Sequence, residues 1–196
     1  MICIVDTGCA NLTSVRFALE RLGVSPKITA NSHTIASAER VFLPGVGAAA
    51  FAMDGLRSKG LVKTIQELKQ PVLGICLGMQ ILLDGSDEGD TDCLGIIPGR
   101  VKALDTKGLR SPHMGWNTLN ELKENPLLEG IASNEYFYFV HGYAAEPTHA
   151  TVAFSDYGTP FSAAMNKDNF YGVQFHPERS GAKGLQVLRN FLEIQI

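Results

Sequence analysis

The sequence predicts an α/β fold, with a doubly wound, mostly parallel central sheet and additional antiparallel strands in the C-terminal half. Short apolar runs at residues 2–5, 40–43 and 72–75 each precede a segment whose apolar residues have helical spacing. From residue 96 onward the pattern changes to shorter strand-like pieces, the first at residues 96–104, separated by Gly, Pro and Asn turns. Ligands of open α/β sheets bind at the carboxyl ends of the strands, so we expect the active site there.

Size and composition favour one domain over residues 1–196, because 45% hydrophobic residues are ample for a core. The net charge of −3 provides no electrostatic footprint for nucleic acid or an anionic membrane. The N-terminal residues lack a basic segment, and no apolar stretch approaches the ~20 residues that a membrane span needs. We therefore expect a soluble cytoplasmic protein that binds neither nucleic acid nor membrane.

The four cysteines form neither a C-x-x-C pair nor a cluster with metal-ligand spacing, and they do not look like a disulfide framework. They are Cys3, Cys9, Cys76 and Cys93. An acidic loop at residues 84–92 superficially matches a calcium-binding EF-hand loop, but Gly95 occupies the position where a bidentate Glu is required. We therefore expect a reducing compartment, no metal and no cofactor.

The first β-α unit consists of a buried strand at residues 2–5 and a helix at residues 12–22, whose apolar residues recur at helical spacing. The loop at residues 6–11 lies between them, at the carboxyl end of the strand. Asn is a favoured N-cap residue, so we expect the side chain of Asn11 to cap the helix.

A second strand at residues 40–43 ends in Pro44-Gly-Val-Gly47, and residues 48–56 continue as a helix. The glycines favour a tight strand-to-helix turn. Gly45, Val46 and Gly47 equally offer backbone N–H groups that could stabilise an oxyanion. The sequence does not choose between these interpretations.

The stretch at residues 71–80 has the pattern of a nucleophile at a strand-to-helix turn. A strand ends there at Cys76, a helix is predicted over residues 77–83, and Gly74 and Gly78 flank the cysteine where a sharp reversal leaves little room for a Cβ. This nucleophile elbow would expose the thiol, place the N–H of Leu77 near an oxyanion and direct a helix N-terminus at the sulfur. For this motif alone, a merely buried cysteine is about as plausible as a nucleophile.

A base and its orienting group follow about a hundred residues later. His176 and Glu178 are separated by one Pro, so both side chains project to the same side of an extended backbone and the carboxylate can hold the imidazole. Taken alone, His-Pro-Glu is a weak signal. Together with Cys76 it supplies a nucleophile, a base and an orienting acid. The last helix is predicted to begin after Ser180 as its cap.

Residues 74–80 and 176–178 resemble the class I, Cys-His-Glu glutamine amidotransferases, whose fold is flavodoxin-like. The resemblance implies attack of Cys76 on L-glutamine, with Leu77 and residues 45–47 at the oxyanion. It also implies that Gln80, Glu88 and residues 141–143 (His141, Gly142, Tyr143) contact the substrate, although a solvated loop is the simpler interpretation of Glu88. Related sequences commonly carry Ser or Thr at position 142, so any contact by Gly142 would come from the backbone.

Residues 6–12, 112–117 and 172–181 resemble the histidine-biosynthetic branch of this family. That branch implies a heterodimer with a (β/α)₈-barrel cyclase that receives ammonia through a channel. Trp116, Asn117, Tyr138 and Arg179 match its interface positions. From the residues alone, a core position for Trp116 is about as plausible as an interface role, and so is an ordinary surface charge for Arg179. His33, His113 and His149 are expected to be surface or structural residues.

Two alternatives stay open. The nearest is a glutaminase subunit that serves another synthase, such as anthranilate or aminodeoxychorismate synthase. A more distant one is a non-catalytic binding module that keeps the elbow for structural reasons and leaves Cys76 unreactive. A thiol peptidase or esterase is less favoured, because Gln80 and Glu88 suit a small zwitterionic amide.

Overall fold

The computed structural model describes residues 1–8 and 11–195, and Cys9 and part of the loop at residues 6–11 lie outside the described residues. Within the described ranges, the strands are β1 (Ile2–Val5), β2 (Lys27–Thr29), β3 (Arg40–Gly45), β4 (Val72–Cys76), β5 (Gly85–Ser86), β6 (Thr91–Asp92), β7 (Arg100–Ala103), β8 (His113–Thr118), β9 (Tyr136–His141), β10 (Tyr143–Ala145), β11 (Thr151–Tyr157), β12 (Thr159–Lys167) and β13 (Phe170–Val173). The α-helices are α1 (Leu12–Arg21), α2 (Ser32–Ala36), α3 (Ala49–Ser58), α4 (Val62–Gln66), α5 (Leu77–Gln80) and α6 (Gly181–Glu193), and 3₁₀ turns form at Pro126–Leu128 and Pro177–Arg179.

The predicted α/β fold is confirmed. The central seven-stranded sheet has the order β11-β12-β13-β4-β3-β1-β2. Strands β2, β1, β3, β4 and β13 are parallel, whereas β12 and β11 are antiparallel additions at one edge. Strand β4, which carries Cys76, therefore lies between β3 and β13, and β13 leads into His176.

Helices cover both faces of this sheet. Leu19 of α1 and Leu188 of α6 pack with Ile75 on one face. Leu56 of α3 and Ile65 of α4 pack with other core residues on the opposite face. A parallel strand is thereby buried on both sides, which explains why all five residues of β4 are buried and why its sequence reads as an uninterrupted apolar run.

Two small sheets accompany the central sheet. Strands β8 and β9 form an antiparallel hairpin, and β10, β7, β5 and β6 form a four-stranded sheet. The expected solvated loop at residues 84–92 is wrong in part, because β5 and β6 pair within it and Ser86 and Thr91 are buried.

Two predicted elements are shorter than expected. The elbow helix ends at Gln80 rather than at residue 83, because the N–H groups of Leu82 and Leu83 bond to carbonyls three residues back and close a tight turn. The strand expected at residues 96–104 covers only Arg100–Ala103, since the N–H groups of Ile96 and Ile97 bond to the carbonyl of Leu82. Among the described residues, the structure has no helix with the length and apolar character to cross a membrane.

Candidate active site

Cys76 occupies a strained turn at the end of β4. Its backbone has φ 54° and ψ −111°, a conformation that non-glycine residues rarely adopt and that recurs at functional sites. A Cβ on Gly74 would lie 2.6 Å from the carbonyl oxygen of Gly78, and a Cβ on Gly78 would lie 1.6 Å from that of Leu43. The two glycines are therefore required sterically, as the sequence predicted.

His176 and Glu178 form a buried pair. The Nδ1 atom of His176 lies 2.8 Å from Oε1 of Glu178, and the two residues are 1% and 8% exposed. Residues 177–179 form a 3₁₀ turn, and Glu178 within it contacts the imidazole of His176. Because the carboxylate oxygen accepts a hydrogen bond, Nδ1 carries a proton and Nε2 is the ring nitrogen left for the thiol.

The charge state of His176 depends on both partners. Burial alone would lower its pKa, but interactions with the Cys76 side chain and with Glu178 outweigh burial and raise that pKa to about 10. Among the described residues, Nε2 of His176 has no hydrogen-bond partner of ordinary geometry. At neutral pH the imidazole therefore carries a proton on both ring nitrogens, and its positive charge lies beside the sulfur.

One side-chain amide and one backbone carbonyl lie close to the sulfur. Nε2 of Gln174 donates to Sγ of Cys76 at 3.6 Å, and Sγ lies 3.8 Å from the carbonyl oxygen of Val140. Gln174 was not among the site residues predicted from the sequence. The signal was the alternation of an extended strand, which places Gln174 and His176 on the same side.

Asn11 does not cap α1, so the predicted role of its side chain is wrong. The residue has φ 80°, in the left-handed region that Asn tolerates, and its side chain makes no capping bond. Instead, Nδ2 of Asn11 donates to Oε1 of Glu178 at 2.7 Å and lies 3.5 Å from Nδ1 of His176. The loop after β1 thus contacts the orienting carboxylate, a contact that sequence distance conceals.

Ser180 precedes α6, but its hydroxyl does not cap the helix as expected. It donates to the carbonyl oxygen of His176 at 2.7 Å and accepts from the N–H of Tyr138 at 2.9 Å. The N–H of His176 donates in turn to the carbonyl of Tyr138 at 2.9 Å. Strand β9 is therefore bonded directly to the segment that carries the histidine and glutamate.

A cavity of about 180 Å³ opens beside the sulfur. This is smaller than the ~300–1,000 Å³ of sites for drug-sized ligands and suits a small molecule. Every residue predicted to contact the substrate or the oxyanion lines this cavity except Gly45, and Val140 lines it in addition. The lining consists of Val46, Gly47, Cys76, Leu77, Gln80, Glu88, Val140, His141, Gly142 and Tyr143.

The oxyanion segment approaches the elbow closely. Gly45 is the partner of Cys76 in the parallel register of β3 and β4, and a Cβ on Gly45 would lie 3.2 Å from Cβ of Leu77. Gly47 has φ +98°, which only glycine adopts without strain. Leu77 is the first residue of α5, so its N–H has no partner within the helix.

Two polar side chains of the cavity lining, Gln80 and Glu88, already have protein partners. Nε2 of Gln80 donates to the carbonyl of Tyr143 at 2.8 Å and to Oε1 of Gln174 at 2.9 Å, which leaves its Oε1 for a ligand. Oε2 of Glu88 accepts from the N–H of Ala49, the first residue of α3, at 3.0 Å. That bond places a negative charge at the cavity wall.

The residues predicted at a partner interface lie around the β8–β9 hairpin, but on two of its faces. Trp116 is 56% exposed, so the core interpretation of this residue is wrong. Its ring lies 6.1 Å from that of Tyr138, and the guanidinium of the exposed Arg179 lies 5.2 Å from the Tyr138 ring. Asn117 points to the other face, where Nδ2 donates to the carbonyl of Asp156 at 2.8 Å.

In residues 1–8 and 11–195, no three His, Cys, Asp or Glu side chains are grouped in a way that could hold a metal ion. Cys3, Cys76 and Cys93 are free thiols. Burial raises the pKa of Cys93 to about 11, so this cysteine stays protonated at neutral pH.

Comparisons with solved structures match this fold. PurLQS from Thermotoga maritima superposes with a TM-score of 0.73 at 20% identity, covering 97% of this chain and 96% of the other. The glutaminase domain of CTPS from Trypanosoma brucei, with bound acivicin, superposes with a TM-score of 0.67 at 15% identity, covering 100% and 94% of the two chains. At these identities the likeness concerns the fold alone.

Sequence comparisons are more specific. Residues 3–194 match the model of the family "Glutamine amidotransferase class-I". The imidazole glycerol phosphate synthase subunit HisH of Haemophilus influenzae is 53% identical over 192 residues, with 98% of this chain and 96% of the relative covered. The same subunit from Idiomarina loihiensis is 54% identical over 193 residues, with 98% and 97% covered. The chain therefore belongs to the class-I glutamine amidotransferase family, in the branch of the HisH subunits.

Proposed function

We propose that this chain is the glutaminase subunit of imidazole glycerol phosphate synthase, which hydrolyses L-glutamine and delivers the ammonia to a (β/α)₈-barrel cyclase subunit. The observation that carries the proposal is the Cys76, His176 and Glu178 arrangement beside a cavity of about 180 Å³. The HisH relatives, at about half of all positions identical, support the choice of synthase.

In the first half of the reaction, the thiolate of Cys76 attacks the side-chain amide carbon of glutamine. A tetrahedral intermediate forms, and the N–H of Leu77 stabilises its oxyanion together with an N–H of residues 45–47. The imidazolium of His176 donates its Nε2 proton to the leaving nitrogen, the C–N bond breaks, and ammonia departs. Glu178 keeps the imidazole oriented throughout.

In the second half, neutral His176 takes a proton from water, and the resulting hydroxide adds to the γ-glutamyl thioester carbon. The C–S bond breaks, the thiolate returns to Cys76 and glutamate leaves. The net reaction converts one glutamine and one water into glutamate and ammonia. Gln80, Glu88 and the segment at residues 141–143 hold the substrate in the cavity.

The proposed docking face for the cyclase is the outward side of the β8–β9 hairpin. Met114, Trp116 and Tyr136 are 62%, 56% and 60% exposed there, and buried aromatic residues dominate stable interfaces. Arg179 and Tyr138 extend this face to the segment after His176. The bonds between Tyr138 and the 176–180 segment give docking a direct route to the catalytic residues.

Coupling to the partner follows from the oxyanion segment. Gly45 and Gly47 flank Val46, so a flip of the peptide between two arrangements is physically inexpensive. Loss of one oxyanion donor costs about 10²–10³-fold in rate. A misoriented segment would thus keep the free chain almost inactive, and the partner with its nucleotide ligand would restore the donor.

The test is glutamate release from glutamine by the purified chain, alone and with the barrel cyclase and its nucleotide ligand. We expect stimulation of at least about 10²-fold by the pair. Equal activity with and without the partner contradicts the gating. No activity under any condition, with Cys76 unreactive toward a glutamine-like alkylator, contradicts the glutaminase itself.

A variant separates the two half-reactions. The Cys76→Ala chain in complex with the cyclase should lose glutamine-dependent synthesis and keep ammonia-dependent synthesis. Loss of both would make Cys76 structural. Copurification with anthranilate or aminodeoxychorismate synthase instead of the cyclase would replace the proposed partner.

A further inference from the structure

Two buried histidines take no part in the proposed bond-breaking steps. His113 and His141 are 2% and 6% exposed, and they are paired residues in the antiparallel register of β8 and β9. Nδ1 of His113 lies 2.9 Å from Nε2 of His141. Burying two polar rings costs free energy unless their nitrogens are hydrogen-bonded, so the partners of this pair matter.

The hydrogen bonds determine the direction of this pair. Nδ1 of His141 lies 2.9 Å from the carbonyl oxygen of Tyr143, which can only accept, so this nitrogen carries the proton. Neutral His141 then accepts at Nε2, and His113 must donate from Nδ1. Nε2 of His113 is left as an acceptor, and Nδ2 of Asn117 lies 3.3 Å from it.

The chain of bonds continues beyond the histidines to the catalytic sulfur. The carbonyl of Tyr143 also accepts from Nε2 of Gln80 at 2.8 Å, and the same nitrogen donates to Oε1 of Gln174 at 2.9 Å. Nε2 of Gln174 donates to Sγ of Cys76 at 3.6 Å. One connected network therefore runs from Asn117 on β8 to Cys76.

Stacking holds the His113 ring in place, and burial keeps both histidines neutral. His113 stacks on Tyr157 with ring centroids 4.0 Å apart and on Phe139 with centroids 5.0 Å apart. Burial lowers the pKa of His113 to about 4. For His141, burial is again the largest cause, and its pKa is lowered to about 3. Both rings are neutral at pH 7, so the direction of the bonds is fixed.

We propose that His113 is a positioning residue for the glutamine cavity, because its hydrogen bond to His141 fixes the Tyr143 carbonyl and with it the segment at residues 141–143. That segment forms one wall of the cavity, and the carbonyl also holds Gln80. The role is in binding the amide substrate rather than in bond breaking. The inference rests on the proposed glutaminase function and deepens it.

Two substitutions separate the bonds of His113. In His113→Asn the side-chain nitrogen stands near the place of Nδ1 and still donates to His141. In His113→Gln the amide reaches the place of Nε2, so the contact with Asn117 is kept and the bond to His141 is lost. Leaving a buried acceptor unpaired weakens a site by about 10-fold.

The readout is the dissociation constant of L-glutamine in a Cys76→Ser background, together with KM and kcat in the Cys76 chain, each alone and with the cyclase. We expect His113→Gln to raise the dissociation constant and KM about 10-fold with kcat within about 2-fold. His113→Asn should stay within about 3-fold of the parent. The rate at which iodoacetamide inactivates Cys76 should be unchanged in both.

Equal dissociation constants for His113→Gln, His113→Asn and the parent overturn the inference. So does a parallel loss of kcat, glutamine affinity and thermal stability, which marks a merely structural residue. If the chain with Cys76 intact hydrolyses glutamine but the His113 variants bind glutamine with the same dissociation constant as the parent, the inference alone fails. If glutamine binds in a His113-dependent way but is never hydrolysed, the proposed function fails and the inference stands; if glutamine never binds, both fail.

Discussion

Two buried histidine clusters are connected to the Cys76 side chain and differ in charge. His176 stands against Glu178 and the thiol, and its pKa is raised to about 10 although burial opposes this. His113 and His141 stand against a carbonyl and an amide, and burial lowers their pKa values to about 4 and 3. Burial acts in the same direction on all three rings, so the partners decide the outcome.

The chain uses one residue type in two ways. A histidine that must move protons needs an anionic partner, which His176 has in Glu178 at 2.8 Å. A histidine that must only hold a backbone carbonyl is better kept neutral, because a neutral ring keeps one donor and one acceptor. The 141–143 segment lines the cavity beside Cys76, whereas His176 interacts with the Cys76 side chain. Binding is therefore assigned to the first segment and chemistry to the second.

The largest expected effect comes from making the His176 cluster resemble the other. In Glu178→Gln the shape is kept and the charge is lost, so the pKa of His176 should fall well below 10 and the thiolate should lose its counter-ion. We expect kcat for glutamine hydrolysis to fall about 10³–10⁴-fold, as when a catalytic dyad loses its orienting carboxylate. Glutamate release and an NMR titration of the imidazole measure the two effects.

Glu193→Gln is the matched control, because Glu193 is an exposed carboxylate on α6 that loses the same charge far from the imidazole. It should leave kcat unchanged. A Glu178→Gln chain with kcat within 10-fold of the parent would contradict the orienting role of the carboxylate.

The second effect is on stability and has opposite signs in the two clusters. His113 has a folded pKa of about 4 against 6.5 in its unperturbed state, so its contribution is fully present above pH 6.5 and is lost as pH falls toward 4. Between pH 7 and pH 5 this amounts to about 1–2 kcal/mol. His176 behaves in the reverse way, and its contribution is lost as pH rises toward 10.

Urea unfolding at pH 7 and pH 5 checks the sign for His113. His113→Gln removes the titrating ring and should show a smaller loss of unfolding free energy over this interval than the parent. His33→Gln is the control, since His33 is an exposed histidine and its replacement should leave the pH dependence unchanged. An equal loss in His113→Gln and the parent would mean that His113 is protonated in the folded chain at pH 5.

Much of the catalytic region was predictable because its signals are local. The positions of Gly74 and Gly78 follow from the steric demands of one turn, and His176 and Glu178 are two residues apart. The apolar run of β4 predicted a strand buried on both faces. These inferences needed no knowledge of how distant segments meet.

The remaining parts depend on contacts between distant segments. His113 pairs with His141 through a hairpin register that spans 28 residues, and nothing within either motif announces that pairing. Trp116 is exposed because successive side chains of β8 alternate between the two faces of the strand. His113 lies on the buried face, so Trp116 lies on the outer one. Asn11 illustrates the limit most clearly, since its local context favoured a helix cap while its amide reaches a carboxylate 167 residues away.

The smallest expected effect concerns Asn11, which acts on the His176 cluster through Glu178. Deleting its side chain removes one donor at 2.7 Å from Oε1 and lets the carboxylate move relative to the imidazole. Asn11→Gly is the suitable change, because φ 80° costs glycine nothing, whereas alanine would add about 1–2 kcal/mol of strain. We expect kcat about 10-fold lower with KM for glutamine within about 2-fold, since one neutral donor to a charged group is lost. Asn11→Asp places a second carboxylate where the donor was and should lower kcat further by repelling Glu178. If Asn11→Asp retained parental kcat, the contact between Asn11 and Glu178 would have no bearing on catalysis, and His176 would be oriented by Glu178 alone.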